Sequence, residues 1–167
     1  MPEKKTLERA RQDEREGKAP TTQAGEFVRE EMEHIREGKH GARSTKQAIA
    51  IGLSKARRAG VKLAPPKPGT VSEKTRRSAE RAREAGEEGD TSVSPRRSRA
   101  ITGVLKRESR AAASKPALAR QARSAAGKRS PGERSAAAKK ASRTKGPAER
   151  SAAARKAGRT RARRRAA

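Results

Sequence analysis

E-x-x-H occurs twice in quick succession, as Glu31–His34 and Glu37–His40. On a helix this spacing puts a carboxylate and an imidazole on one face. Di-iron bundles use it from two separate helices, with further glutamates supplied by others. Here the second pair crosses Gly38, where a helix is expected to stop, and no extra bundle helices are in sight. Both pairs therefore read as solvated charge on a helix face. The chain has no cysteine, which excludes disulfides and thiolate-held zinc. With two histidines and no nucleophile–base pairing, no catalytic, cofactor or metal site is expected, and the protein does not read as an enzyme.

The stretch GKHGARSTK, residues 38–46, has glycines, a lysine and Ser-Thr but lacks the G-x-x-x-x-G-K-[ST] order of a P-loop. Lys39, His40 and Arg43 precede an expected helix start, where free N–H groups and the helix dipole attract anions. A backbone phosphate could dock on these three. An ordinary polar loop between helices is the plainer alternative.

The other chemistry is electrostatic. SPGERSAAAKKASRTK (130–145) is followed directly by GPAERSAAARKAGRTR (146–161), with eleven identities in sixteen positions. Ser130, Pro131 and Glu133 suit the N-cap, N1 and N3 positions of a helix, as do Gly146, Pro147 and Glu149. Alanine then supplies the highest helix propensity. On the helical wheel Lys139, Lys140 and Arg143 cluster, as do Arg155, Lys156 and Arg159. Arg134, Lys145, Arg150, Arg161, Arg163, Arg164 and Arg165 complete the cations expected to contact nucleic acid. So short a helix is costly to nucleate in water, so the reading is disorder when free and folding on a polyanion.

What positions these groups is limited by composition. The chain has 167 residues, 30% of them hydrophobic, and Phe27 is its only aromatic residue. Alanine buries too little to offset about 1–2 kcal/mol per residue of backbone entropy, so any packed part must be small. The formal net charge is +26, of which residues 109–167 carry +17. A basic tail of this kind is the footprint of a polyanion binder. No apolar h-region opens the chain and no run approaches a membrane span, so a soluble cytoplasmic protein without membrane contact is expected.

Residues 1–63 hold most of the bulky apolar side chains and read as a helical module. A short charged helix is expected at Thr6–Glu16, with Thr6 as N-cap. A second at about Gln23–Glu37 places Ala24, Val28, Met32 and Ile35 at helical spacing, with Phe27 beside them. After the loop Gly38–Arg43, a third helix opens with Ser44 and Gln47 as a capping box and aligns Ile49, Leu53 and Ala56. Two such helices can pack as a helix-loop-helix through Val28, Met32, Ile35, Ile49 and Leu53. About 40 residues is near the lower limit of independent stability, which points to dimerisation or a partner. Residues 64–108 read as a linker carrying a solvated helix at Ser72–Ala85, and EEGDTSVSPRRSR as loop. Ile101, Val104 and Leu105 form a small apolar cluster with no assigned place. Residues 109–167 are the low-complexity basic tail. The expected fold is thus a small all-α N-terminal module with a largely disordered, Ala/Arg/Lys-rich C-terminal tail of marginal helices.

TQAGEFVREEMEHIREGKHGARSTKQAIAIGLSKARRAGVKL, residues 22–63, resembles a family of small basic bacterial proteins with no assigned function, KHGARSTKQAIAIGLSKARRAG being its most distinctive phrase. The resemblance extends over the first 65 residues or so and implies a bacterial origin, without an activity or site to carry over. The tail resembles lysine/arginine/alanine-rich histone-like tails in composition. SPRR, residues 94–97, resembles the Ser-Pro-basic-basic turns of linker-histone tails, a basic loop being the plainer reading. The expected function is sequence-independent binding of duplex DNA by a histone-like, nucleoid-associated protein. The alternatives are an RNA- or ribosome-associated protein and a protein-interaction module with a basic tether. The lack of Trp and Tyr removes the stacking platforms of single-strand and RNA-recognition modules.

Overall fold

The computed structural model describes residues 2–89, 94–144 and 146–166, and no strand occurs among them. In chain order come α1 (Lys4–Arg15), α2 (Pro20–Glu37), α3 (Thr45–Arg58), α4 (Glu73–Glu87) and α5 (Pro95–Lys106). A 3-10 turn (Arg110–Ala113), α6 (Lys115–Gly127), α7 (Pro131–Thr144) and α8 (Pro147–Arg165) complete it. The chain divides into two compact units, Met1–Gln121 and Ala122–Ala167.

In the first unit α2 lies between α1 and α3. Pro20 opens α2 at a position where its missing N–H costs nothing. Gly38 closes it in the left-handed conformation, with φ of 82°. There the Lys39 N–H reaches the His34 carbonyl (3.0 Å) and the Gly38 N–H the Ile35 carbonyl (3.2 Å), a Schellman turn. α3 starts as its sequence predicts: the Ser44 hydroxyl accepts from the Gln47 N–H at 3.2 Å. The Gln47 side chain reaches one residue further back than a standard capping box, accepting from the Arg43 N–H at 2.8 Å. α1 begins at Lys4, with Glu3 rather than Thr6 at the N-cap. Thr6 is instead buried, and its hydroxyl helps hold the Glu30 carboxyl below its ordinary value.

Two apolar clusters hold α1, α2 and α3 together. Phe27, fully buried, packs with Ala10, Ala24, Ala56 and Val61, and Leu7, Leu53 and Leu63 flank them. Met32 and Ile35 pack with Ala42, Ala48, Ala112 and Ala113, flanked by Val28, Ile49 and Leu118. The five apolar positions expected to join the helices all lie in or against these clusters. Small residues compensate for the shortage of bulky ones by letting backbones approach. A β-carbon on Gly52 would lie 2.7 Å from the Val28 Cα. Close approach multiplies dispersion contacts that are individually weak.

Segments read from sequence as linker and tail join this packing. α4 was expected to be solvated for want of an apolar stripe, yet Ala79 and Ala82 are buried and the helix packs on α3. Gly86 makes this possible, since a β-carbon there would lie 2.0 Å from the Arg57 carbonyl oxygen. Residues 105–113 lie over the α2–α3 loop. The Gly41 N–H donates to the Leu105 carbonyl at 2.8 Å, and the Ala42 N–H to the Ser109 carbonyl at 3.1 Å. The Thr45 hydroxyl donates to the Ala112 carbonyl at 2.7 Å and Arg36 Nε to the Ala113 carbonyl at 3.0 Å. Ala112 and Ala113 thereby enter the core from a stretch that composition assigns to a tail. SPRR is a helix start rather than a loop: Ser94 is the N-cap and Pro95 the first residue of α5. Ile101 and Val104 remain about half exposed on α5, at 54% and 51%.

The expectation of a largely disordered tail is overturned: the second unit is helical, with α7 and α8 filling the two repeat copies. The start signals account for the outcome. The Ser130 N–H donates to Glu133 Oε2 at 2.8 Å, and the Glu133 N–H to the Ser130 hydroxyl at 3.2 Å, a complete capping box. α8 has Gly146 as its N-cap and Pro147 in its first turn. Alanine then carries both helices forward without side-chain entropy loss. Among the described residues of α7 and α8 none is buried. No helix among the described residues is long and apolar enough to cross a membrane.

Candidate functional site

Two regions concentrate chemistry. The first is the cationic surface of the second unit. Arg134, Lys139, Lys140 and Arg143 stand exposed on α7, and Arg150, Arg155, Lys156, Arg159, Arg161, Arg163 and Arg165 on α8. Lys145 and the Arg164 side chain lie outside the described residues. The Arg134 guanidinium reaches back to the Arg129 carbonyl at 2.7 Å and helps close the turn before α7. The carboxylates along α7 and α8 are Glu133 and Glu149, both in first turns, where the dipole favours them. The remaining length of each helix is positive or neutral.

The second region is a polar corner where α1, α2, α3 and the α2–α3 loop meet. Glu31 is fully buried on α2. Its Oε2 lies 2.8 Å from Lys55 Nζ on α3, and its Oε1 lies 3.4 Å from His40 Nε2. Neither oxygen has a partner in hydrogen-bonding geometry. Lys55 also reaches Glu30 Oε1 at 3.3 Å. Burial pushes the Glu30 carboxyl upward. The Thr6 hydroxyl, the Glu3 N–H and Lys55 together outweigh burial and hold it below its ordinary value. His34 Nε2 donates to Glu3 Oε1 at 2.8 Å, and Lys39 Nζ sits 3.1 Å from the same oxygen. The hydrogen bond from His34, aided by Lys39, brings the Glu3 carboxyl down to about 2.

The Gly38 turn builds this corner. It folds the chain back so that His40 returns over α2 instead of continuing past Glu37. The histidine rings stand edge to face with centroids 6.2 Å apart. Donor atoms of Glu31, His34 and His40 lie within 4.8 Å of one another. Read along a helix, the E-x-x-H pairs gave Glu31 with His34 and Glu37 with His40. The structure keeps the first and replaces the second with Glu31–His40, while Glu37 turns to Lys39 at 3.1 Å. The sequence signal that could have found this is the glycine between Glu37 and His40.

The three residues considered for a phosphate are not gathered at the start of α3. Lys39 is held by Glu3 and Glu37, and the His40 ring faces Glu31, with Nδ1 3.0 Å from the Gly41 carbonyl. Arg43 is exposed, its N–H bonded to Gln47.

Residues 21–68 match a family of unknown function, DUF6496. The matched segment covers nearly all of α2, the loop, α3 and the return toward α4. Glu30, Glu31, His34, His40 and Lys55 fall within it and the cationic helices outside it. No curated protein and no solved structure matches the chain.

Proposed function

We propose that this chain is a sequence-independent, histone-like DNA-binding protein, at work on the nucleoid of a bacterial cell. α7 and α8 hold duplex DNA through phosphate contacts. The observation that carries the reading is the exposed cationic length of these helices, which bury no described residue and whose carboxylates are confined to their first turns. A surface of this kind gains affinity by releasing condensed counterions from the phosphates. Its arginines and lysines can meet phosphates and guanine edges alike, and no constellation on it is built to select one sequence. The chain has no Asn, and its four Gln lie outside both helices, which removes the side chains suited to adenine. The first unit carries +12 and the second +14, so the density of charge is far higher on the shorter one.

The test is a salt-dependent binding measurement on duplexes of unrelated sequence. With about ten phosphates engaged, log K falls against log salt with a slope near −9, whatever the sequence. A chain shortened after Gln121 keeps the Ala112–Ala113 packing intact and loses this binding. Strong preference for one duplex sequence, or binding undiminished by the truncation, defeats the proposal. Preference for structured RNA over duplex DNA at fixed salt would redirect it to an RNA-bound role.

A further inference from the structure

We propose that Glu31, His34 and His40 form a binding site for a divalent transition-metal ion of the zinc type, which pins the α2–α3 loop onto α2. The residues are of the kinds that hold zinc: two imidazoles and one carboxylate leave a fourth position for water. Separations fit. Tetrahedral ligands at about 2.0–2.2 Å from a common ion stand about 3.4 Å apart. His40 Nε2 and Glu31 Oε1 are 3.4 Å apart, and donor atoms of all three residues lie within 4.8 Å of one another.

A second observation points the same way. The Glu31 carboxylate is buried with no hydrogen-bond partner for either oxygen. Burying an ionised carboxylate is costly unless it is paired or coordinates a metal. Lys55 pairs with Oε2, while Oε1 faces the His40 ring. Lys55 opposes a second positive charge nearby, but it is shared with Glu30 and it fixes Glu31 as a one-oxygen ligand.

Each histidine has the outer partner that metal-ligating imidazoles have. Ligating imidazoles give their other ring N–H to a carboxylate or backbone carbonyl, which sets the tautomer. His40 Nδ1 lies 3.0 Å from the Gly41 carbonyl and donates to it, leaving the Nε2 lone pair toward Glu31. His34 gives its Nε2–H to Glu3, which leaves the lone pair on Nδ1. Each ring thus keeps one free nitrogen.

The chain's composition makes the test clean: with two histidines and no cysteine, nitrogen-ligated metal binding by imidazole can arise nowhere else. Co²⁺ alone is titrated into the full chain and followed by visible absorption, with Zn²⁺ titrated calorimetrically in parallel. The expected result is one ion per chain, a d–d band of low-symmetry cobalt, and a melting temperature that rises with Zn²⁺ by mass action. H40Q and H34Q each weaken binding at least tenfold, and because both side chains are largely buried, at 15% and 14% exposed, the comparison is made on variants whose circular dichroism shows the metal-free helices intact. E37Q, outside the cluster, binds as wild type. Absence of saturable one-to-one binding, or equal binding by the H34Q/H40Q double variant, overturns the proposal.

Discussion

Gly52 of α3 lies so close to Val28 of α2 that a β-carbon on it would stand 2.7 Å from the Val28 Cα and 3.0 Å from the Phe27 carbonyl oxygen. Both obstacles are backbone, so the helices must part to admit a methyl group. Gly52→Ala is expected to destabilise the first unit by about 1–3 kcal/mol despite its better helix propensity, as overpacking does. Gly25, in α2 with open space where its β-carbon would go, is the control. Gly25→Ala should stabilise by up to about 1 kcal/mol through propensity alone. Urea midpoints of the two variants on opposite sides of wild type are the expected outcome.

Lys55 bridges α3 to two carboxylates of α2, one of them fully buried. Lys55→Met removes the cation and leaves the buried Glu31 Oε2 without its partner. The expected loss is about 1–3 kcal/mol, the cost of orphaning a buried acceptor. Adding Glu31→Gln to Lys55→Met should restore part of it. A double-mutant cycle in urea measures the coupling, and strict additivity would show that the pair does not interact.

Acid should loosen α1 first. The Glu3 carboxyl, ordinarily near 4.5, is held at about 2 by the His34 hydrogen bond and by Lys39. A carboxylate depressed in the folded state contributes stability above its unfolded pKa, and that contribution drains away as pH falls toward the folded one. The window is therefore about pH 4.5 to 2. Protection of the Thr6 and Leu7 amides, measured relative to intrinsic exchange at each pH, should fall across it. In Glu3→Gln the protection of the same amides should be low at every pH tested, without a step in that window.

The capping box of α7 predicts an asymmetry between the repeats. Ser130→Ala removes the acceptor for the Glu133 N–H and should cost α7 about 0.5–2 kcal/mol. α8 has no side-chain cap, and Gly146→Ser supplies one for a gain of a few tenths of a kcal/mol at most. Circular dichroism of the full chain should show helicity falling in the first variant and holding or rising slightly in the second.

These elements also mark what the sequence makes legible. α2 and α3 announce themselves because Phe27, Met32, Ile35, Ala48 and Ala56 recur at helical spacing between clear stops. The caps at Ser44 and Ser130 are local chemistry, readable in four residues. Ala79, Ala82, Ala112 and Ala113 are not readable in this way. An alanine in a basic stretch looks the same whether it faces solvent or a core, and only the opposing glycine or alanine decides. Nor was the Glu31–His40 contact readable, since it depends on one left-handed residue, Gly38, sending the loop back rather than on. The order of the tail is hidden for the opposite reason: its start signals are plain in the sequence, but how far the capping box at Ser130 offsets the cost of nucleation is not.

The clasp of residues 105–113 on the α2–α3 loop imposes an order of events on synthesis. Thr45 and the Ala112 carbonyl that receives its hydroxyl are 67 positions apart. At about 5–20 residues per second the acceptor follows its donor from the ribosome by about 3–13 s. Throughout that interval the nascent α2–α3 hairpin has its loop amides bonded to water and the Met32–Ile35 side of its core incompletely covered. The clasp therefore sets a period of vulnerability, in which a chaperone or protease meets a half-finished module, and it ends when the Ala112–Ala113 pair arrives.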